Sequence, residues 1–517
     1  MSQDILIGVD AGTSVIKAVA FDADGRQITR SSRRNRYNNV QGGGVEQNMS
    51  RTWEDTAAVL REVTQTVGAK RVCALGVTGQ GDGTWLIDGD GIPVHDGWLW
   101  LDARAVDEAR DIAASDGIDT IYRLTGSGIN VCQMRTHMLW MTRHAPELLA
   151  QAATAFHCKD WLYFKLTGVR ATDPTEGVFT FGDFRTRQYA EEVLQALDLT
   201  AYRRLLPEIL DGAQDTHGLS GEAAAATDLP QGLPVSLGYV DIMCTALGAG
   251  LYDEAVQPGF SILGSTGVHM RFFGDVDQVH LTSDRSGYTM VFPGKAYAQI
   301  QTNMAATLNL DWILSIAKEI LAAQGVDVAV GNLLDGLDDE VMAARPGAAL
   351  FHPYISSAGE RGPFTNPAAR ASFTGLDQKT GWYDLVRAVY DGLVLASRDC
   401  YSSMGRIPDE IRLGGGAARS FALQRFLASA LDRPIRTVAR EEAGAAGAVM
   451  IAGLATGLFE STAAAAEAWV QPLLQEAKLP APELIGTYDA LFTAYRKTRA
   501  AFPPMWDAQQ TMRCALE

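Results

Sequence analysis

Residues 5–22 read ILIGVDAGTSVIKAVAFD, two apolar runs separated by the short polar segment Asp10-Ala11-Gly12-Thr13-Ser14. Each run has the length and the apolar content of a β-strand, and the glycine between them permits a tight turn. Asp24-Gly25 then provides a hairpin-type turn into RQITRSS. The sequence therefore predicts that the chain opens with a β-meander.

A similar unit occurs in the second half of the chain. An apolar strand, PVSLGYV, leads to Asp241 and the small-residue segment IMCTALGAG, which predicts a helix with Asp241 at or near its N-cap. A second meander then begins at FSILGSTGVHMRFF. Two such halves predict a duplicated α/β fold with a cleft between the halves. We place the two domains at residues 1–245 and 246–517.

Composition limits the class of protein. The 517 residues are 47% hydrophobic, enough for two sizeable cores, and the formal net charge of −17 argues against nucleic-acid or anionic-membrane partners. The six cysteines are scattered without regular spacing, which predicts reduced thiols rather than disulfides or a zinc site. The N-terminus lacks a signal-peptide pattern, so we expect a cytoplasmic protein. We interpret the uncharged run 443–459 as a closely packed helix of small residues.

Three glycine-containing turns are candidates for phosphate binding. In the first, Gly12 lets the backbone approach a phosphate, Thr13 and Ser14 add hydroxyl donors, Lys17 adds charge, and Asp10 can hold Mg²⁺ through water. The second is Gly264-Ser265-Thr266-Gly267, and the third is Gly414-Gly415-Gly416, which leads into a helix. Ordinary tight turns, or a purely structural triple glycine, would give the same patterns.

Asp241 is the candidate general base. Phosphoryl transfer to an alcohol needs a carboxylate that accepts the hydroxyl proton, although an N-cap role would also place an Asp at a strand-to-helix step. The Walker A, dinucleotide-binding and H-E-x-x-H patterns are missing from the sequence. Their absence removes the commonest rival nucleotide and zinc sites.

Nine segments together resemble the FGGY family of carbohydrate kinases, of the actin/hexokinase/Hsp70-like ATPase superfamily, over nearly the whole chain. They stand in family order: VDAGTSVIKAVAFD (9–22), GGVEQNMSRTW (43–53), GVTGQGDGTWLID (76–88), WLWLDARA (98–105), KDWLYFKLTG (159–168), GYVDIMCTALGAG (238–250), ILGSTG (262–267), PYISSAGERGPFTNPAARASFTGL (353–376) and LGGGAARSFALQRFLASAL (413–431). The resemblance implies two ribonuclease H-like domains and ATP-dependent phosphorylation of a sugar or polyol with Mg²⁺.

The resemblance also implies roles for individual residues. Asp241 corresponds to the catalytic base and Asp10 to the Mg²⁺-associated carboxylate. The residues expected to contact the nucleotide are Gly12, Thr13, Ser14, Lys17, Gly264, Thr266, Gly267, Thr307, Asp311, Gly415, Gly416 and Ser420. Those expected to contact the substrate are Gln80, Asp82, Trp100 and Asp241.

Substrate preference depends on the loop Gln80-Gly81-Asp82. Asp82 suits a polyol because a carboxylate can accept hydrogen bonds from two adjacent hydroxyls. Glycerol kinases carry an Arg-Glu pair at 81 and 82 and D-xylulose kinases a Met-His pair, so we expect Gly81 to widen the pocket and disfavour glycerol. The N-terminal third is most similar to erythritol kinases, followed by L-xylulose and 3-keto-gulonate kinases. D-xylulose and xylitol remain alternative acceptors, a non-kinase ATPase is the alternative of another class, and a homodimer is left open.

Other polar residues receive structural interpretations. Glu360-Arg361 could contact the nucleotide or form an ion pair with each other, and we favour the structural ion pair. We interpret Asp338-Asp339-Glu340 as a solvated face and the histidines at 137, 144 and 157 as packing or surface residues.

Overall fold

The computed structural model describes residues 4–516, which form two six-stranded sheets surrounded by helices. The strands are β1 Ile5–Ala11, β2 Val15–Asp22, β3 Gln27–Arg34, β4 Asn38–Val40, β5 Gly44–Gln47, β6 Val72–Gly79, β7 Trp85–Ile87, β8 Gly97–Trp98, β9 Thr154–Phe156, β10 Ala171–Thr172, β11 Gly182–Asp183, β12 Gln188–Tyr189, β13 Glu208–Ile209, β14 His217–Gly218, β15 Pro234–Leu237, β16 Gly259–Leu263, β17 Gly267–Phe273, β18 Tyr288–Val291, β19 Tyr297–Asn303, β20 Leu350–His352, β21 Ser372–Thr374, β22 Ile411–Gly414 and β23 Ile435–Thr437.

Helices cover the faces of both sheets. They are α1 Met49–Val67, α2 Val106–Ala114, α3 Ile118–Thr125, α4 Met134–His144, α5 Pro146–Gln151, α6 Cys158–Thr167, α7 Pro174–Phe181, α8 Glu191–Ala196, α9 Gly221–Thr227, α10 Asp241–Gly248, α11 Leu308–Ala323, α12 Leu337–Ala343, α13 Trp382–Ser403, α14 Phe421–Leu431, α15 Ala443–Ala455, α16 Thr462–Trp469, α17 Pro482–Ala501 and α18 Pro503–Leu516. Within residues 4–516, every helix is too short or too polar to span a bilayer.

Five strands of each large sheet share one topology, as the duplicated sequence pattern predicts, and the sixth lies at opposite edges: β14 beside β15 in the first sheet, β18 beside β19 in the second. The first has the order β14-β15-β6-β1-β2-β3 and the second β18-β19-β17-β16-β22-β23. In the first sheet β1, β2 and β3 are antiparallel, while β6 and β15 run parallel to β1. In the second, β16, β17 and β19 are antiparallel, while β22 and β23 run parallel to β16. Each half is therefore a meander extended by two parallel strands.

The predicted domain boundary at 245/246 falls in the segment of chain that connects the two sheets, because β15 ends at Leu237 and β16 begins at Gly259. The chain nevertheless crosses back. Helix α15, from the C-terminal part of the chain, packs on β1, β6 and β15 of the first sheet and against α10. The first core is thus completed by residues far along the sequence.

The small residues of α15 are explained by this packing. A Cβ at Gly447 would overlap the carbonyl oxygen of Cys244 in α10, and a Cβ at Gly76 in β6 would overlap the carbonyl oxygen of Ala448. Helix and sheet backbones therefore touch directly, which only glycine permits. The run 443–459 is a buried helix followed by a turn, as its composition predicts.

Candidate active site

A cavity of about 330 Å³ lies between the two sheets and contains side chains from both halves of the chain. Its lining residues are Thr13, Gly81, Asp82, Trp100, Glu176, Phe179, Val240, Asp241, Ile242, Thr245, Ile262, Thr266, Val268, Tyr288, Met290, Ile300, Thr302 and Arg361. A larger hollow of about 610 Å³ lies beside the β2–β3 turn and includes none of the predicted site residues. Its size alone does not make it the site, because the chemically competent groups converge on the smaller cavity.

Asp241 is the first residue of α10 and lies in the cavity wall. Val240 is the cap residue, and the Asp241 carboxylate accepts a hydrogen bond from the N–H of Ile242 at 2.6 Å. The pKa of Asp241 is raised to about 8, mainly by burial and also by the neighbouring Asp10 carboxyl, while the Ile242 N–H opposes the rise. A carboxyl group with this pKa can act as a proton acceptor near neutral pH, which an ordinary N-cap would not require.

Asp10 lies on β1, directly opposite Lys17 of β2 in the strand register. Burial raises the pKa of Asp10 to about 6, with Lys17 lowering it and Glu442 raising it. The backbone of Gly444 approaches so closely that a Cβ there would lie 2.7 Å from Oδ2 of Asp10. The amine of Lys17, expected to face phosphate, bonds to Glu442 at 2.8 Å.

These groups are compatible with a magnesium ion. Within residues 4–516, no group of three or more His, Cys, Asp or Glu side chains could hold a metal by itself. Mg²⁺ commonly takes one or two protein carboxylates and completes its shell with water and phosphate oxygens. The Asp10 carboxylate, destabilised by burial and with a glycine beside it, fits such a site.

The first turn, Gly12-Thr13-Ser14, joins β1 to β2 and carries Thr13 into the cavity wall. The indole N–H of Trp100 donates to the Thr13 hydroxyl oxygen at 2.7 Å, and that hydroxyl donates to Oε1 of Gln80 at 3.0 Å. The Gln80 amide donates in turn to Gln47 at 3.0 Å. Gln80, predicted to contact substrate, therefore uses its side chain to hold Thr13 and does not line the cavity. Trp100, also predicted to contact substrate, does line it.

The loop after Gln80 carries Asp82 into the cavity in a left-handed conformation, with φ of +53°. Burial raises the pKa of Asp82, opposed by His157 and by the guanidinium groups of Arg361 and Arg135. The backbone N–H of Asp82 donates to Oε1 of Glu176 at 3.2 Å.

The expectation that Gly81 widens the pocket stays a prediction, and the space immediately beside this glycine is narrow. A Cβ at position 81 would lie 2.5 Å from Oε1 of Glu176 and 2.5 Å from Cγ2 of Val240. The space that a side chain at 81 would take is already filled by these two neighbours.

The second turn, Gly264 to Gly267, joins β16 to β17 and brings Thr266 to the same cavity as Thr13. Gly264 donates its N–H to the carbonyl of Thr266 at 3.1 Å, and its own carbonyl accepts from both the N–H and the hydroxyl of Thr307 at 2.8 Å. Thr307 thus fixes the turn. The two turns predicted to hold phosphate meet in one cavity although 250 residues of chain separate them.

The third turn lies at the end of β22. Gly415 has φ of +83°, and a Cβ there would lie 2.7 Å from the carbonyl oxygen of Leu263, while a Cβ at Gly416 would meet nothing within 4 Å. Ser420 caps α14, accepting the N–H of Leu423 at 3.1 Å and donating to Asp338 at 2.8 Å. Asp311 is exposed in the first turn of α11. Asp338, interpreted as part of a solvated face, instead anchors the start of α14.

Sequence reasoning missed Glu176, Tyr288 and Arg361, which all line the cavity. The proposed Glu360–Arg361 ion pair is absent among the described residues, because the Glu360 carboxylate accepts the backbone N–H groups of Met304 and Arg361, each at 2.9 Å. Arg361 is thereby left to face the cavity. The Glu360-Arg361 dipeptide was the signal in the sequence that could have indicated Arg361. The sequence around Glu176 and Tyr288 gave no such signal.

The chain is similar to known carbohydrate kinases along most of its length. Residues 5–248 match the model of the FGGY family of carbohydrate kinases, N-terminal domain, and residues 260–456 match its C-terminal domain. The chain is 51% identical over 507 residues to an erythritol kinase of Brucella abortus, covering 98% of this chain and 97% of that protein. It is 24% identical over 496 residues to a xylulose kinase of Staphylococcus xylosus, covering 95% and 99% of the two chains.

Solved structures agree on the fold. The ligand-bound xylulose kinase of Lactobacillus acidophilus superposes with a TM-score of 0.88 at 22% identity, covering 98% of this chain and 99% of that one. At this identity the likeness establishes the two-domain architecture and leaves the acceptor to be argued from the site.

Proposed function

This chain belongs to the FGGY family of carbohydrate kinases and is a sugar or polyol kinase that uses ATP, and we propose that its acceptor is erythritol, with Asp241 as general base and Mg²⁺ held through Asp10. A non-kinase ATPase, the alternative of another class, is set aside because both kinase domain models match.

One observation carries the proposal: the cavity of about 330 Å³ that receives both glycine turns is lined by three acidic side chains, Asp82, Glu176 and Asp241. Carboxylates accept hydrogen bonds from hydroxyl groups, so such a wall favours an uncharged acceptor with several hydroxyls over an anionic sugar. The volume lies at the small end for ligand sites, which suits a short acceptor. The 51% identity to an erythritol kinase supports the same choice.

Each of these residues has a separate role in the proposed reaction. Ionised Asp241 accepts the proton of the acceptor hydroxyl. The oxygen of that hydroxyl forms a bond to the γ-phosphorus as the bond between the γ-phosphorus and ADP breaks. Backbone N–H groups of the turns at Thr13 and Thr266 would hold phosphate oxygens. Mg²⁺, when bound, supplies positive charge to the phosphates that a chain of net charge −17 lacks. Trp100 lines the cavity beside Thr13 and holds the Thr13 hydroxyl through its indole N–H.

The acceptor is tested with the purified chain and MgATP, measuring ADP release with erythritol, xylitol, glycerol, D-xylulose, L-xylulose and 3-keto-gulonate. We expect the highest kcat/KM with erythritol. A ketose that exceeds erythritol in kcat/KM would assign the acceptor to that sugar instead.

The base is tested with Asp241→Asn, which keeps the shape of the side chain and removes the proton acceptor. We expect kcat to fall about 10²–10⁴-fold with little change in nucleotide binding. Near-normal turnover, with the chemical step shown to be rate-limiting, would exclude Asp241 as the base.

A further inference from the structure

Glu176 is a buried acid in the acceptor cavity that the sequence pattern did not indicate. It lies in the first turn of α7 with 1% of its surface exposed, and it lines the acceptor cavity. The cap of that helix is Asp173, whose carboxylate already accepts the N–H groups of Thr175 and Glu176. A buried carboxylate is costly unless its surroundings or its function compensate.

One carboxylate oxygen of Glu176 holds the backbone of Asp82. Oε1 accepts the Asp82 N–H at 3.2 Å, in a loop whose φ of +53° at Asp82 is unusual for a residue other than glycine. The carboxylate of Asp82 has few competing partners: Oδ1 makes no hydrogen bond within residues 4–516, and Oδ2 has only the Cys132 thiol at 3.7 Å. Fixing this backbone therefore fixes a carboxylate that is left for a ligand.

The same oxygen fills the space beside Gly81. A Cβ at 81 would lie 2.5 Å from Oε1 of Glu176. The glutamate occupies this position because residue 81 has no side chain. A longer side chain at 81 and a glutamate at 176 exclude each other.

Charged side chains lie behind Glu176. Nε2 of His157 lies 3.3 Å from Oε2 of Glu176, although neither atom makes a hydrogen bond within residues 4–516, and Nδ1 of His157 lies 3.1 Å from Asp160. Lys159 is buried between Asp160 at 2.6 Å and Asp173 at 2.5 Å. The hydrogen bond from the Asp82 N–H is therefore the contact that orients the Glu176 carboxylate.

From these contacts we propose that Glu176 is the positioning residue of the acceptor site: it holds Asp82 in its left-handed conformation and occupies the volume beside Gly81, and so determines which acceptor fits. This inference rests on the proposed polyol kinase function. Glu176 acts through Asp82, so its loss should weaken acceptor binding more than the chemical step.

The test compares Glu176→Ala with Glu176→Gln, with Glu192→Gln as the control because Glu192 is exposed in the same half of the chain. The glutamine retains a carbonyl that can accept the Asp82 N–H, whereas the alanine leaves that N–H without its partner. We expect Glu176→Ala to raise KM for erythritol about 10–100-fold, with KM for ATP changed less than about twofold. Glu176→Gln should stay within about fivefold of the parent, and the control should be unchanged.

Three results would overturn the proposal. The first is an unchanged KM for erythritol in Glu176→Ala, the second is an equal rise of KM for ATP in that variant, and the third is a rise of KM for erythritol in Glu176→Gln as large as in the alanine variant. The last result would mean that charge, not the hydrogen bond to Asp82, is what matters.

If Glu176→Ala folds poorly, Gly81→Ala alone keeps the test decisive, because an unchanged KM for erythritol in that variant would overturn the proposal. Where both variants fold, a double-mutant cycle tests the shared volume directly. Gly81→Ala should weaken erythritol binding strongly in the parent and less in the Glu176→Ala background, because only Val240 then remains near the new methyl group. Additive effects on KM would overturn the proposal. All variants are assayed with the acceptor that the parent phosphorylates best, so a preference for D-xylulose would correct the proposed acceptor while still testing Glu176. A parent inactive with every acceptor would end both proposals.

Discussion

Asp241→Asn should make the ligand-free protein more stable while it removes activity. The fold holds the Asp241 carboxyl at a pKa of about 8, against an ordinary value of 3.8 for aspartate, through burial and the neighbouring Asp10. Between these two pH values the folded state binds the proton more tightly than the unfolded state, so stability of the parent falls as pH rises across this window. Asparagine carries no such penalty and can still accept the Ile242 N–H.

The magnitude follows from the pKa shift. At pH 7 the penalty is at most about 4 kcal/mol, since each pH unit above the unfolded pKa costs about 1.4 kcal/mol until the folded pKa is reached. Asp241 is partly open to the cavity, which reduces this cost, and we expect a gain of about 1–3 kcal/mol. For a folding unit of about 250 residues, each kcal/mol raises Tm by about 2–4 °C.

The assay is thermal unfolding of both proteins without ligands at several pH values from about 4 to 9. The advantage of Asp241→Asn should be near zero at the acidic end, grow with pH, and level off above about pH 8. Asp327→Asn, an exposed loop carboxylate, is the matched control and should show no such growth. A destabilised Asp241→Asn, or a gain that does not depend on pH, would refute the electrostatic reasoning.

Three further predictions follow from the site and its surroundings. The kcat/KM for the acceptor should rise about tenfold per pH unit up to about pH 8, because only ionised Asp241 accepts the proton; a flat profile from about pH 6 to 9 would contradict this. Asp10→Ala should raise the Mg²⁺ concentration for half-maximal rate and lower kcat while erythritol binding without nucleotide changes little, and an unaltered Mg²⁺ titration would show that Asp10 is only a turn residue. Gly447→Ala should lose about 1–3 kcal/mol or more in urea unfolding because its methyl group would overlap Cys244, whereas Gly486→Ala, in open space on α17, should not be destabilising.

Local patterns in the sequence were sufficient for the strand–turn–strand units and for the duplication. Strand length, apolar alternation and turn residues act over a few neighbouring positions, so β1, β2 and the Asp24-Gly25 hairpin could be predicted directly. The parallel pairing of β6 and β15 in the first sheet, and the return of α15 to that sheet, could not be predicted from local patterns. Their positions depend on pairing across long stretches of chain, which local propensity does not encode.

The candidate site divides in the same way. Asp10, Thr13, Thr266 and Asp241 were identifiable because each ends a strand or opens a helix beside a characteristic turn. The roles of Gln80 and Glu176 were decided only by the fold: Gln80 holds Thr13 from 67 positions away, and Glu176 holds Asp82 from 94 positions away. Hydrogen bonds and excluded volume act between atoms that are close in space, so a side chain's partners, and therefore its task, are set by tertiary structure even where its chemical type is plain from the sequence.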